Sequence, residues 1–221
     1  MDKELVAARY SEDMLDLITR LPDDVRLTVY NKGDKLNLPA KVRARAGRVV
    51  QLRNVGREGH TYLHHIVENY DNLADLTIFS QACVVHHLRG SFDPYCNCPD
   101  ATEPWSHMRL ESVEKSAYHT QWNRARAKLP DHVTNAILHY GARRSDLPFS
   151  EWWGRYVKLD PPNPRTVQFS WGGLFSVTRP YIHQNSKGYY KKILKTLSQH
   201  PNPEEGHFLE RAWSYIFKPI T

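Results

Sequence analysis

The stretch VVQLRNVGREGHTYLHHIVENYDNLADLTIFSQ, residues 49–81, decides how the rest of the chain is read. Val49, Val50 and Leu52 make a short apolar strand, and Asn54-Val55-Gly56-Arg57-Glu58-Gly59 is a polar turn. From His60 onward apolar residues recur at Leu63, Ile66, Val67 and Tyr70, with Leu73 or Ala74 next. That spacing places them on one face of a helix. Asp71-Asn72 punctuates the pattern, and Leu76-Thr77-Ile78-Phe79 is short and β-rich enough for a buried strand. Strand, turn, helix and strand form a βαβ unit, whose ligands bind at the carboxyl ends of the strands. The polar residues gather at those ends, around residues 54–58 and at Ser80-Gln81.

Toward the N-terminus, Glu4-Leu5-Val6-Ala7-Ala8 reads as a strand stopping at Arg9-Tyr10. Ser11, followed by Glu12 and Asp13, has the character of an N-cap for a helix through Met14, Leu15, Leu17 and Ile18. Residues 25–30 alternate and are β-branched, hence a strand, and run into the turn Asn31-Lys32-Gly33-Asp34. Residues 34–48 are basic and irregular, a surface loop. The expected fold is therefore α/β, with a mostly parallel central sheet flanked by helices.

Beyond residue 82 the pattern is weaker. Residues 83–109 lack a period and read as a long connection or lid, while 111–128 reads as a charged helix. LPFSEWWGRY, residues 147–156, is aromatic-rich, and Pro161-Pro162-Asn163-Pro164 marks a boundary. Residues 167–171 form a strand leading to Gly172-Gly173, and 174–177 continue extended. Residues 188–197 make a basic amphipathic helix. Pro203-Glu204-Glu205 opens a final helix with Phe208, Leu209, Ala212, Trp213 and Ile216 on its apolar face.

With 221 residues, the chain is long enough for one full core. Its net charge of +6 and 12 His favour an anionic ligand. The 3 Cys are an odd number, with Cys96 and Cys98 too close for a disulfide framework, so the cytoplasm is the expected compartment. No apolar run is long enough for a membrane span.

The ends of the early strands bring Arg9, Lys32 and Arg57 together as candidates for phosphate groups, with Gly33 and Gly56 permitting close backbone approach. The plain alternative is solvated charges on ordinary loops. His60 and His64 stand one helical turn apart, with Glu68 a turn further, so a metal-dependent hydrolase is a second reading. The HExxH motif is absent, because Thr61 follows His60. Cys96 and Cys98, with His86, His87 and His107, lack the CxxC knuckle spacing. A basic nucleic-acid-binding module is a third reading, without a supporting motif. Trp171-Gly172-Gly173 and Glu204-Glu205-Gly206-His207, with Arg211, form a second polar cluster; a carboxylate there can serve as general base or merely complement the helix dipole.

Read together, Ala8-Arg9-Tyr10-Ser11-Glu12-Asp13, Tyr30-Asn31-Lys32-Gly33, Asn54 through Leu63, Asn69-Tyr70-Asp71-Asn72-Leu73, Phe79-Ser80-Gln81, Trp171 through Phe175 and Glu205 through Trp213 resemble an uncharacterised domain family of fungi and bacteria. In layout that family is similar to the GT-A nucleotide-sugar glycosyltransferases, including those of large algal viruses. The resemblance implies a single GT-A-like domain. Residues 1–82 would bind the nucleotide sugar, 83–165 would form a variable connection or lid, and 166–221 would build the acceptor side. It implies transfer of a sugar, as in hexosyltransferases of polysaccharide biosynthesis, from a UDP-sugar or related donor to a glycan hydroxyl. Carried over by position, Ala8, Arg9, Tyr10, Asn31, Lys32 and Gly33 would line the nucleotide and Arg57 would approach the diphosphate; Asn54, Gly56 and His60 complete the expected donor set. Glu205 would act as base, with Glu204 or Asp93 second, and Trp171, Gly172, Gly173 and Arg211 would meet the acceptor. The resemblance implies Mn²⁺ or Mg²⁺, yet the Asp-x-Asp of the class is replaced by Ser80-Gln81-Ala82. Gln81, Asp93 and His207 are the remaining candidate ligands, and basic residues in place of the ion are the other solution.

Overall fold

The computed structural model describes residues 1–82, 118–120, 125–128, 140–157, 166–169 and 173–217. Four strands run parallel: β1 (Lys3–Arg9), β2 (Val25–Asn31), β3 (Arg48–Gln51) and β4 (Leu76–Gln81). Strands β5 (Tyr118–Thr120) and β8 (Phe175–Thr178) extend this sheet, β8 lying antiparallel to both β4 and β5. The order is β3-β2-β1-β4-β8-β5. β6 (Ala125–Lys128) and β7 (Thr166–Phe169) make a separate antiparallel pair. The fold is α/β with a mixed, largely parallel sheet, as the alternation in the N-terminal third implies.

The two faces of the sheet follow from the two-residue period of a strand. Leu5 and Ala7 of β1 point to one side, with Leu27, Val29 and Ile78, and join Leu17 of helix α1 (Leu15–Arg20) and Val42 of helix α2 (Ala40–Arg45). Val6, Tyr30 and Phe79 point to the other side, against helix α3 (Arg57–Glu68). That second core continues through helices α4 (Phe149–Tyr156), α6 (Lys187–Thr196) and α7 (Glu204–Ile216), with Trp152, Trp153 and Trp213 buried in it. Helix α5 (Arg179–His183) follows β8 directly. Among the described residues, no helix is long and apolar enough to cross a membrane.

Several local expectations are corrected. Ser11 does not cap α1: the helix starts at Leu15 after Met14, whose φ of 62° is left-handed. The Glu12 carboxylate accepts the Tyr10 and Ser11 amides (2.7 and 3.1 Å), and this tight loop delays the helix. The supposed loop 34–48 contains α2, which is anchored by Val42 alone and so too short to show a period. The supposed helix within 111–128 contributes strands β5 and β6, because their partners β8 and β7 are distant in sequence and no local pattern reveals them. The helix after β3 begins at Arg57, earlier than the apolar period suggests.

The chain order creates a switch point. β1, α1, β2, α2 and β3 progress in one direction across the sheet; α3 then carries the chain back past β1 to place β4 on its other side. Between the carboxyl ends of β1 and β4 the loops diverge and leave a crevice, the usual ligand position in such sheets.

Candidate functional site

A cleft of about 260 Å³ occupies this crevice. Its wall comes from β1 and the loop after it (Ala8, Arg9, Tyr10, Glu12), from Lys32 after β2, and from Gln81 at the end of β4. The α3 entry supplies Asn54, Arg57 and Glu58, while Pro201 and Asn202, ahead of α7, close the side.

Arg9 is buried and organises the rim. Its Nε donates to Glu12 O (2.7 Å), Nη1 to Asn31 Oδ1 (2.6 Å) and Tyr10 O (3.3 Å), and Nη2 to Asn37 O (2.7 Å). One guanidinium thus ties together the loops after β1 and β2. Gly33 completes the rim, since a Cβ there would sit 1.7 Å from the Tyr10 carbonyl oxygen. No side chain fits that approach.

Lys32 lies deeper, 8% exposed. Its ammonium donates to Val55 O at 2.6 Å and also to Arg57 O. Burial pulls its pKa down to about 8, against the opposing pull of Glu58.

The α3 entry is strained. Gly56 (φ 62°) and Arg57 (φ 50°) are both left-handed, costly for a residue with a Cβ. The Gly56 and Arg57 amides donate to His200 O (2.8 Å) and Pro201 O (3.1 Å), so the segment preceding α7 holds this conformation in place. Arg57 thereby turns toward α7, where a Cβ on Gly206 would lie 3.8 Å from Arg57 Cδ, an ordinary contact. Its Nη1 is 3.0 Å from His207 Nε2 and its Nε 3.5 Å from Glu58 Oε2. The same Nε2 lies 3.2 Å from Asn202 Oδ1, which only accepts, so a donor (Arg57) and an acceptor (Asn202) both meet this nitrogen and its tautomer decides which contact is a hydrogen bond. Burial, reinforced by Arg57 and Arg211, lowers the His207 pKa to about 4 against the contrary effect of Glu58.

Glu58 is the other charge of this group. Burial alone would raise its pKa, but Arg57, a backbone hydrogen bond, His207 and Lys32 outweigh it and hold the carboxyl below its usual range. Gly173, left-handed at φ 60°, brings the chain ahead of β8 against Glu58: a Cβ there would meet Glu58 Cγ at 3.4 Å and Tyr62 Cε2 at 3.6 Å. The cleft therefore carries Arg9, Lys32 and Arg57 against Glu12 and Glu58. An excess of positive charge in a partly water-excluded crevice suits an anion.

The structure brings together Ala8, Arg9, Tyr10, Lys32, Asn54 and Arg57 of the donor set. Asn31 and Gly33 support the rim; Asn31 also lines a second hollow of about 290 Å³ with Lys35 and Arg43. Gly56 sits beneath the cleft against Leu197, where a Cβ would lie 2.6 Å from the Leu197 carbonyl oxygen. His60 is buried outside the lining, its ring 6.1 Å from that of His64 and stacked on it. Burial lowers the His60 pKa to about 3.

Among the second set, Glu204 is fully buried and its Oε2 accepts the Ser145 amide at 2.8 Å, a brace for the segment ahead of α4. Glu205 is half-buried on the first turn of α7, outside the cleft lining. Buried Arg211 donates to His207 O at 2.7 Å. Asp93, Trp171 and Gly172 lie outside the described residues, as do Cys96, Cys98, His86, His87 and His107.

Of the candidate metal ligands, Gln81 lines the cleft, while His207 Nε2 lies between Arg57 Nη1 and Asn202 Oδ1. Among the described residues no group of three or more His, Cys, Asp or Glu side chains is placed to hold a metal ion. Glu12, Glu58, Pro201 and Asn202 line the cleft without an individual role assigned from the sequence, although Glu58 closes the polar turn expected at the strand ends. Glu58 stood in the opening stretch beside Arg57, and its adjacency to that cation was the available signal.

The family model described as "Protein of unknown function (DUF3431)" matches residues 5–220. No curated protein and no solved structure matches the chain.

Proposed function

The chain belongs to that family, and we propose that it is a glycosyltransferase of GT-A type that moves a sugar from a nucleoside-diphosphate sugar, with UDP-sugars the first choice, to a hydroxyl of a glycan acceptor. The observation that carries this reading is the switch-point cleft of about 260 Å³, whose lining places the cations Lys32 and Arg57 beside the carboxylate of Glu58. In this reading the diphosphate lies along Lys32 and Arg57, and the acceptor enters from the side of Gly173. The acceptor oxygen bonds to the anomeric carbon as the bond from that carbon to the phosphoryl oxygen breaks. Glu58 takes the hydroxyl proton, and the two cations offset the charge left on the departing diphosphate. This assignment moves the base from Glu205, which is outside the cleft lining, to Glu58; the other lining carboxylate, Glu12, is engaged by the Tyr10 and Ser11 amides. The reading places the protein in the cytoplasm, on the pattern of its cysteines.

The experiment is a thermal-shift panel of UDP-, GDP-, dTDP- and CMP-sugars, followed by nucleotide release with glycan acceptors. A ligand that binds the folded state alone raises the melting midpoint by mass action. Selective stabilisation by one nucleotide, with transfer lost and donor binding kept in Glu58→Gln, is the expected result. A flat response to every donor at millimolar concentration would refute the transferase reading; equal loss of binding and turnover in Glu58→Gln would remove the base role.

A further inference from the structure

We infer that the Lys32 ammonium is a built-in cation, holding the diphosphate in this cleft without a bridging divalent ion. The inference rests on the proposed donor class and concerns how its phosphates are held. Main-chain carbonyl oxygens are hard ligands of the kind that surround Mg²⁺ or Ca²⁺. Here two of them, Val55 O and Arg57 O, converge on the Lys32 Nζ at the cleft floor. The nitrogen therefore occupies a position suited to a hard cation and brings a positive charge with it. An ammonium has three N–H donors. Two are used by the carbonyls; the third has no partner among the described residues, in a side chain that lines the cleft.

The neighbours complete the arrangement. Arg57 supplies a second cation, its Nη1 resting on neutral His207. His207 Nε2 is already engaged by Arg57 Nη1 and Asn202 Oδ1, at 3.0 and 3.2 Å. A divalent ion entering beside Glu58 would meet both the ammonium and the guanidinium, and would be repelled by each. A diphosphate meets the same pair favourably. Its oxygens can take the free Lys32 N–H as a charge-assisted hydrogen bond, stronger than one between neutral groups.

The test is calorimetric titration of the full chain with inorganic pyrophosphate, first in EDTA. We expect binding in EDTA, weakened by about tenfold or more in Lys32→Met, the usual consequence of losing a charge-assisted contact. No binding in EDTA that appears on adding Mn²⁺ or Mg²⁺ would overturn the inference. So would no binding under any condition, or unchanged affinity in Lys32→Met. Because that variant can fail to fold, the unaltered protein provides a second arm: affinity in EDTA should fall as pH rises from 7 to 9.5. Deprotonation of pyrophosphate over the same range acts in the opposite sense. Glu58 and Arg57, which face Lys32, keep their charges there, and His60 and His64, with lowered pKa, stay neutral. Affinity that holds or rises would overturn the inference. Pyrophosphate binding in EDTA without sugar transfer from any donor would end the transferase reading and leave this one standing.

Discussion

Raising the pH from 7 to 9.5 should stabilise this protein through Lys32, and Lys32→Met should remove that gain. Burial holds the folded-state pKa at about 8 against 10.5 for a free side chain. Near pH 7 both folded and unfolded states carry the proton, so the full cost of burying the charge is present. Between 8 and 10.5 the folded state releases the proton while the unfolded state keeps it, and stability rises wherever the unfolded state binds more protons. At roughly 1.4 kcal/mol per unit of pKa, integrating from pH 7 to 9.5 gives a gain of about 2 kcal/mol. The range stops below 10 because Tyr30, Tyr189 and Tyr190, whose pKa values burial raises, would then begin to lower stability. The assay is urea unfolding at several pH values for both proteins. Lys32→Met also takes a donor from Val55 O and Arg57 O, so the comparison is of pH slopes rather than absolute stabilities. Equal slopes would refute the claim that a charged, desolvated ammonium sits at the cleft floor.

Gly33→Ala should lose about 3 kcal/mol or more, since its Cβ would overlap a backbone oxygen that cannot move without breaking the rim; a thermal midpoint near that of the unaltered protein would contradict this. Arg57→Gly relieves a left-handed residue by about 1 kcal/mol while losing the pair with Glu58, so the melting midpoint should change little and pyrophosphate binding should disappear. Retained binding in that variant would take Arg57 out of the site. His60 and His65, each held down to about 3 by burial, and His207 at about 4 all refuse protons that the unfolded chain accepts below 6.5. Stability is therefore full above that value and is lost as pH falls, by about 2 kcal/mol for each ring by pH 5. Urea midpoints at pH 7 and pH 5 measure it, and His65→Gln should flatten the dependence.

The sequence by itself determined the elements whose cause is local. Alternation in residues 25–30, the apolar stripe of α3 and the glycine turns at 33 and 56 each follow from periods and backbone permissions that a short window contains. Because parallel strands joined by helices present their carboxyl ends together, the gathering of Arg9, Lys32, Asn54 and Arg57 was also legible. Tertiary structure decided what depends on partners far along the chain. The pairing of β5 with β8 and of β6 with β7, the return of α3 past β1 and the left-handed turn of Arg57 are imposed by those distant strands, by sheet order and by the carbonyls of His200 and Pro201. The same distance effect separates Glu58 from Glu205. Both are acidic residues near a helix start, and only the packing of α3 against α7 puts one carboxylate in the cleft and leaves the other outside it. Charge type is written in the chain. Which charges share a low-dielectric space is settled by the fold that encloses them.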